Sequence, residues 1–224
     1  LPMPFRATEG APGSWVTTEG HARFKLELDG VLNPGLFLDQ RENRVTLRRF
    51  IDERGPGLLA NFFSYTGAFS VTAAREGCDV LSVDLSKRYL SWEGENHALN
   101  GTSARSKRIP EDSGTYLRRL ENRVTKPDGA RRPDFIVLDP PTFSRNDGKL
   151  FRVREALPGL VEKAVACLSP RGVLLVSTND ARWPRSEFES ETSEWGVRLG
   201  LDVLRGAVGE GCEHVRVLRG RRDD

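Results

Sequence analysis

Two turns and a proline-locked carboxylate carry most of the chemistry written in this chain. An apolar run at residues 58–63 leads into Ser64-Tyr65-Thr66-Gly67-Ala68, and a second, at residues 80–84, ends on Asp84. Their ends lie about 20 residues apart, the spacing at which a doubly wound sheet sets a tight backbone turn beside a nucleotide and a carboxylate opposite its ribose hydroxyls. Such a pair suits any adenosine-containing ligand. Standing alone, Gly67 would be a plain turn and Asp84 a helix cap. They are joined by Leu138-Asp139-Pro140-Pro141-Thr142-Phe143-Ser144, where two consecutive prolines hold the backbone extended just past another apolar run. Asp139 can there meet a polar substrate edge or the cationic side of a cofactor. Phe143 can stack on a planar base, worth roughly 1–3 kcal/mol, or pack into the core.

These groups need a scaffold, and the chain supplies one from Gly57 onward, where short apolar runs alternate with helix-like segments in the manner of βαβ units and a largely parallel sheet. Strands are expected at residues 58–63, 80–84, 135–138 and 173–177. A third strand, at 106–109, is placed by position, because its residues are polar and basic. Residues 201–204 and 214–218 read as a closing antiparallel pair. Ser86 can cap a helix running to Leu99, with Asn100-Gly101 as its stop. Leu157, Leu160, Val161, Ala164, Val165 and Leu168 fall three or four apart and predict another helix with one apolar stripe. Upstream, a loose lead-in precedes a small β-hairpin at 15–28, where Phe24, Leu26 and Leu28 alternate with charged residues and Glu19-Gly20 turns the chain. Asn33-Pro34-Gly35 then breaks it before an amphipathic helix at 41–51. The division expected is residues 1–50 as lead-in, hairpin and helix, and 51–224 as one Rossmann-like catalytic domain.

Composition narrows the class. At 224 residues the chain can bury one α/β core with an appendage, and no apolar run approaches the roughly 20 residues that cross a bilayer. The first residues lack the layout of a secretory signal, so a cytoplasmic, non-membrane protein is expected. Cys78, Cys167 and Cys212 are odd in number and scattered, which argues for reduced thiols. Cys212 and His214 have no second ligand pair, so no metal is expected. Ser70, His97 and Asp84 do not make a hydrolytic triad without a G-x-S-x-G elbow. A net charge of +2 announces no polyanion partner; residues 105–132 carry nine Lys or Arg against four Asp or Glu, which reads as a solvated face or as a steering surface for nucleic acid. Tyr89 and Trp92 read as core or helix-face residues. Gly94 weakens its helix by about 1 kcal/mol.

The runs Phe63-Ser64-Tyr65-Thr66-Gly67-Ala68-Phe69-Ser70, Val83-Asp84-Leu85-Ser86-Lys87-Arg88-Tyr89-Leu90, Asp139-Pro140-Pro141-Thr142-Phe143-Ser144 and Gly35-Leu36-Phe37-Leu38-Asp39-Gln40-Arg41-Glu42-Asn43-Arg44 together resemble the class I S-adenosylmethionine-dependent methyltransferases that modify bases of large-subunit ribosomal RNA, and most of all the guanine-N7 branch. The resemblance implies a Rossmann-like α/β fold: a mostly parallel seven-stranded sheet with an antiparallel closing strand, plus the N-terminal hairpin. It implies S-adenosyl-L-methionine as cofactor, with Ser64, Tyr65, Thr66 and Gly67 lining its methionine part, Asp84 and the neighbouring Leu85 at its ribose, and Asp112 near the adenine. Phe37, Gln40 and Arg41 would close the pocket, while Asp139, Pro140, Pro141 and Phe143 would form the transfer site. Ribosomal RNA, presented as a single-stranded or flipped-out base, is the implied partner, and the branch is usually joined to another RNA methyltransferase unit.

Chemistry bears on which atom accepts the methyl group. Carbon 5 of a pyrimidine is a poor nucleophile and needs a cysteine thiolate to add to the ring first. Carbon-methylating relatives place that thiol after the fifth strand, where this chain has Ser177-Thr178-Asn179-Asp180. Guanine N7 has a lone pair and no proton to lose, so alignment does much of the work. The alternatives are a small-molecule or protein acceptor, because the cofactor half of the fold does not specify one, and a non-catalytic RNA-binding or assembly subunit. A nicotinamide-dependent dehydrogenase is disfavoured by the lack of G-x-G-x-x-G.

Overall fold

The computed structural model describes residues 13–27, 33–146, 149–205 and 215–220. The chain opens with an antiparallel hairpin, β1 (Ser14–Glu19) and β2 (Ala22–Glu27), turned at Gly20 with φ 57°. Its alternation buries Ala22 and Phe24 against Leu36 and Val71. A single 3-10 turn (Leu38–Gln40) then feeds α1 (Arg41–Arg54), which continues three residues past the expected end. After it come β3 (Leu58–Phe62), α2 (Ala68–Arg75), β4 (Asp79–Asp84), α3 (Lys87–Leu99), β5 (Ser106–Pro110), α4 (Ser113–Val124) and β6 (Phe135–Leu138). A second small hairpin, β7 (Phe143–Asn146) and β8 (Lys149–Arg152), leads to α5 (Val153–Cys167), β9 (Val173–Ser177), α6 (Arg185–Arg198), β10 (Leu201–Arg205) and β11 (Val215–Gly220).

Seven strands pair in the order β10-β11-β9-β6-β3-β4-β5, and all run the same way except β11, which is antiparallel to both of its neighbours, β9 and β10. The central strands bury apolar residues on both sides because both faces of the sheet are covered, and the two-residue period of a strand sorts them. Ala60, Phe62, Val83, Ile136, Leu138, Leu174 and Val176 face α4, α5 and α6, while Leu59, Val80, Phe135, Val137 and Leu175 face α1 and α2. Strand order reverses beside β3, so its carboxyl end and that of β6 open a crevice between diverging connections.

The third strand, placed only by position, forms as β5, and its edge location explains its polar sequence: Lys107 and Arg108 are exposed, as suits a strand end of a sheet. The Arg108 guanidinium lies where a Cβ on Gly94 would be, so that glycine makes room for the β5 side chain. Several cations of the basic stretch sit in surface ion pairs, Arg105 just before β5 with Asp79 (3.5 Å) and Arg119 on α4 with Glu111 (2.7 Å). Helices α2, α4 and α6 and the β7–β8 hairpin add to the elements expected from the sequence; α4 does carry its own signals, since Asp112 Oδ1 accepts from the Thr115 amide at its start (2.8 Å) and Tyr116, Leu117, Leu120 and Val124 form one buried stripe. The final strand is described from Val215; Cys212 and His214 lie outside the described residues.

The N-terminal hairpin is fixed to the sheet layers by polar side chains. Trp92, Asn96 and Asn100 recur every four residues on α3 and so share a face. Trp92 Nε1 donates to the Lys25 carbonyl (3.1 Å), Asn96 Oδ1 accepts from the Lys25 amide (2.8 Å), and Asn100 both accepts from and donates to Arg23 (2.9 and 2.7 Å). That face therefore covers the open edge of β2. From the other side, buried Arg44 of α1 donates twice to the Glu19 carboxylate (2.6 Å each) and to the Phe37 carbonyl. Arg44→Ala leaves Glu19 without its main partner in a mostly buried setting, and urea unfolding is expected to show a loss of about 3–5 kcal/mol.

Candidate active site

A cavity of about 540 Å³ opens at the carboxyl ends of β3, β4, β5, β6 and β9, within the roughly 300–1,000 Å³ usual for small-molecule sites. The turn after β3 sets its floor. Phe63, Tyr65 and Gly67 all have positive φ (59°, 52° and 78°), and for the two aromatic residues this costs on the order of 1–2 kcal/mol each. The surroundings over-determine the turn. The Phe63 amide donates to Ser113 Oγ (3.0 Å), the Ser64 amide to the Val83 carbonyl (3.2 Å), and the Gly67 amide to the Ser64 carbonyl (2.9 Å). Thr66 Oγ1 donates to the Gly35 carbonyl, Tyr65 Oη to the Asn33 carbonyl, and Asn96 Nδ2 to the Thr66 carbonyl.

Asp84 joins this turn to the next one. Its Oδ2 accepts from the Tyr65 amide (2.9 Å) and its Oδ1 from the Ser86 amide (2.8 Å), while Ser86 Oγ caps α3 through the Tyr89 amide. Burial pushes the Asp84 carboxyl above its ordinary range, and the two amides oppose that shift. A carboxylate has about four lone-pair positions, so each oxygen keeps one for a ligand. Behind the turn lies Glu93, fully buried, which accepts from Ser64 Oγ (3.1 Å) and from Ser82 Oγ. Its side chain occupies the space a Cβ on Gly67 would need, so position 67 is restricted both by φ and by contact.

Asp139 faces the same cavity from the end of β6. Its Oδ1 accepts from Ser177 Oγ (2.5 Å) and Gln40 Nε2 (3.4 Å), and its Oδ2 takes no hydrogen bond from the described residues. The residue keeps some accessible surface because it borders the cavity, yet its carboxyl is desolvated. Desolvation raises its pKa to about 6; the Ser177 hydrogen bond opposes the rise and nearby Asp39 adds to it. Asn43 holds Gln40 in place (2.7 Å).

Of the residues singled out in the sequence, Phe37, Gln40, Ser64, Tyr65, Thr66, Asp84, Leu85, Asp112, Asp139, Pro140 and Pro141 line this one cavity. Three do not. Gly67 shapes the turn from behind. Arg41 is mostly exposed and reaches Glu19 (3.7 Å), because Arg44, one helical turn further, takes the inward direction. Phe143 starts β7, 68% exposed, because the hairpin carries it out of the cavity. Tyr89, expected on a core or helix face, lines the cavity instead, its ring edge-on to Tyr65 (4.5 Å), which also meets Phe37 (5.1 Å). Burial pushes the Tyr65 phenol up to about 12. Trp92 is buried as expected. Asn33 and Gly35, from the Asn-Pro-Gly break, and Asn179, from the run after the fifth strand, also line the cavity, as does Asn61, which carries no signal in the sequence. Ser70, His97 and Asp84 are dispersed: Ser70 bonds Asn61 and Ser82, and His97 bonds Thr102.

Residues 7–196 match the family model described as S-adenosylmethionine-dependent methyltransferase. The chain belongs to that family. Among similar proteins, the Ribosomal RNA large subunit methyltransferase K/L of Shewanella baltica is 37% identical over 174 residues, covering 75% of this chain and 23% of the relative, and that of Shewanella oneidensis is 37% identical over 183 residues, covering 79% and 23%. The methyltransferase thus spans about a quarter of the length of these relatives. A crystal structure of a SAM-dependent methyltransferase from Agrobacterium tumefaciens shares the fold, with a TM-score of 0.76 at 24% identity over 94% of this chain and 71% of that one. Another, a methyltransferase complexed with SAH, gives a TM-score of 0.73 at 28% identity, covering 93% and 56%.

The donor set fits S-adenosylmethionine: the spare lone pairs of Asp84 suit ribose hydroxyls, and the unbonded Oδ2 of Asp139 suits a cationic neighbour. The amide in Asp84→Asn can accept from only one of the two backbone donors. Calorimetric titration with S-adenosylmethionine is expected to show affinity lowered by about tenfold to a hundredfold, whereas unchanged affinity would remove Asp84 from the site.

Proposed function

We propose that the methyltransferase transfers a methyl group to a base nitrogen of large-subunit ribosomal RNA, with guanine N7 the first choice. Bound S-adenosylmethionine supplies an electrophilic methyl on a sulfonium. Ser64, Tyr65, Thr66 and Gly67 then hold its methionine part, Asp84 and Leu85 its ribose, and Asp112 its adenine edge. Phe37 and Gln40 close the pocket, and Asp139, Pro140 and Pro141 present the acceptor. Residues 51–224 act as the catalytic unit and 1–50 as its closing segment. The names of the relatives support the RNA acceptor, and their greater length supports a further RNA-binding or methyltransferase unit as partner, in the cytoplasm. No helix among the described residues is long and apolar enough to cross a membrane.

The observation that favours nitrogen over carbon is the residue at the end of β9. Asn179 lines the cavity there, hydrogen-bonded by Thr142 Oγ1 (2.7 Å), and no described cysteine does. Cys78 and Cys167 are buried elsewhere; burial raises both thiols, Cys167 to about 12, which leaves neither as a thiolate. Guanine N7 needs no such nucleophile, only alignment of its lone pair. Tritiated S-adenosylmethionine with ribosomal RNA, followed by nucleoside analysis, tests the assignment: label in 7-methylguanosine is expected, and label in 5-methylcytidine overturns it.

Asp139 gives the reaction a pH signature. With its carboxyl at about 6, the group is neutral below that pH and anionic above it, where it favours a cationic cofactor. Initial rates should show kcat/KM falling by about tenfold per pH unit below 6, with the inflection lost in Asp139→Asn. For stability the sign is opposite. The ordinary value, 3.8, applies to the unfolded chain, so the folded state binds the proton more tightly and loses stability as pH rises from about 4 through 6. Thermal melts at neutral pH should accordingly find Asp139→Asn at least as stable as the parent.

A further inference from the structure

The β7–β8 hairpin pairs only with itself and departs directly from the cavity wall, since Pro141 lines the cavity and Phe143 opens β7 two residues later. It is anchored on one side. The Phe151 ring meets that of cavity-lining Phe63 at 5.8 Å, and the Val153 amide closes the hairpin on the Thr142 carbonyl (3.1 Å). Strand alternation places the opposite pair, Phe143 and Arg152, on the other face, directly across from each other in the register. Both are exposed: Phe143 at 68%, and the Arg152 side chain at 61%, with only a surface link to Glu155 (3.1 Å). Such a link contributes little and exchanges readily for another anion. By sequence, residues 143–152 hold three cations, Arg145, Lys149 and Arg152, against the single acid Asp147. Beyond Asn179, Arg182 adds a side chain 79% exposed, bound to Asp180.

A large aromatic side chain left in water beside a cationic one, at the lip of a transfer cavity, matches what a single nucleic-acid strand offers. Its bases present π-faces for stacking and its backbone presents phosphates at every step. Phosphates account for the cations on the Phe143 face, where the register also places Arg145, and a duplex would bury its base faces. We propose that the outer face of the β7–β8 hairpin is a docking lip for single-stranded RNA, with Phe143 stacking on a base that flanks the target and Arg152 pairing with a phosphate. This rests on the RNA reading of the acceptor given above and adds the residues that hold the strand outside the cavity.

The test uses the full chain, a fluorescein-labelled single-stranded oligouridylate, a duplex RNA of equal length, and the variants Phe143→Ala and Arg152→Gln. Fluorescence anisotropy is expected to show Phe143→Ala binding the single strand about tenfold more weakly, and Arg152→Gln flattening the slope of log affinity against log salt by about 1. Duplex RNA should bind more weakly than the single strand. Titration calorimetry should find S-adenosylmethionine affinity unchanged in both variants, because neither side chain lines the cavity, and this also reports that they fold. Single-strand affinity equal to that of the parent chain in both variants overturns the docking lip while leaving the RNA reading intact. Methyl transfer to protein but not to RNA by the parent chain overturns both.

Discussion

The carboxylate of Asp84 is the constraint on which the site depends. Its two oxygens accept from amides on two different turns, Tyr65 after β3 and Ser86 before α3. One side chain therefore fixes the spacing of the two loops that border a nucleotide-sized cavity. The Tyr65 turn would not hold its shape alone, with two aromatic residues at positive φ. It persists because Asp84, Ser113, the Val83 carbonyl and Glu93 each restrain a different part of it. Strain kept in place by an excess of local restraints is a common property of sites that must be formed before the ligand arrives.

The same restraints extend outward to the N-terminal segment. Asn96 accepts from β2 and donates to the Thr66 carbonyl, so a single side chain on α3 bonds both the hairpin and the cavity floor. Arg44 bonds Glu19 in the hairpin and the carbonyl of cavity-lining Phe37. The segment upstream of the sheet is thus built into the cavity wall through largely buried hydrogen bonds and the Arg44–Glu19 ion pair, with Lys25–Glu95 and Arg88–Glu27 adding links at the surface. Groups of this kind cost stability if half satisfied, and here most of their capacity is met.

The legible part of the fold was the part governed by short-range pattern. The strands at 58–62, 79–84, 135–138 and 173–177 carry apolar residues on both faces because helices cover both, and Ser86 caps α3 with the geometry its side chain allows. The cavity was legible because its residues cluster at strand ends, where Ser64 to Thr66, Asp84 and Asp139 to Pro141 follow their strands directly. What escaped was set by tertiary contact. Tyr89 and Asn61 enter the cavity by the way their elements pack together, and the Trp92, Asn96 and Asn100 spacing has meaning only once β2 lies beside it. Arg41 and Arg44 are one helical turn apart, and only the folded hairpin decides which of them points inward. Phe143 follows the proline pair so closely that sequence alone places it at the transfer site, yet the hairpin that begins there turns it to solvent.

Asp139 shows how burial can serve a reaction without making a base. Desolvation makes the ionised carboxyl less stable in the fold, and the Ser177 hydrogen bond and the charge of nearby Arg44 offset that in part. If the acceptor carried a proton to be lost, a carboxyl near 6 would be suited to take it. For a ring nitrogen with a free lone pair there is none to take, and transfer moves positive charge from sulfur to base without creating or destroying it. A carboxylate beside that path interacts with the charge before and after transfer to a similar degree, so it contributes more to binding and alignment than to a difference between ground and transition states. The Asp139-Pro140-Pro141 segment is consistent with that role, since two prolines hold the carboxyl and the adjoining wall in a fixed course, and rigid alignment is what a lone-pair acceptor most requires.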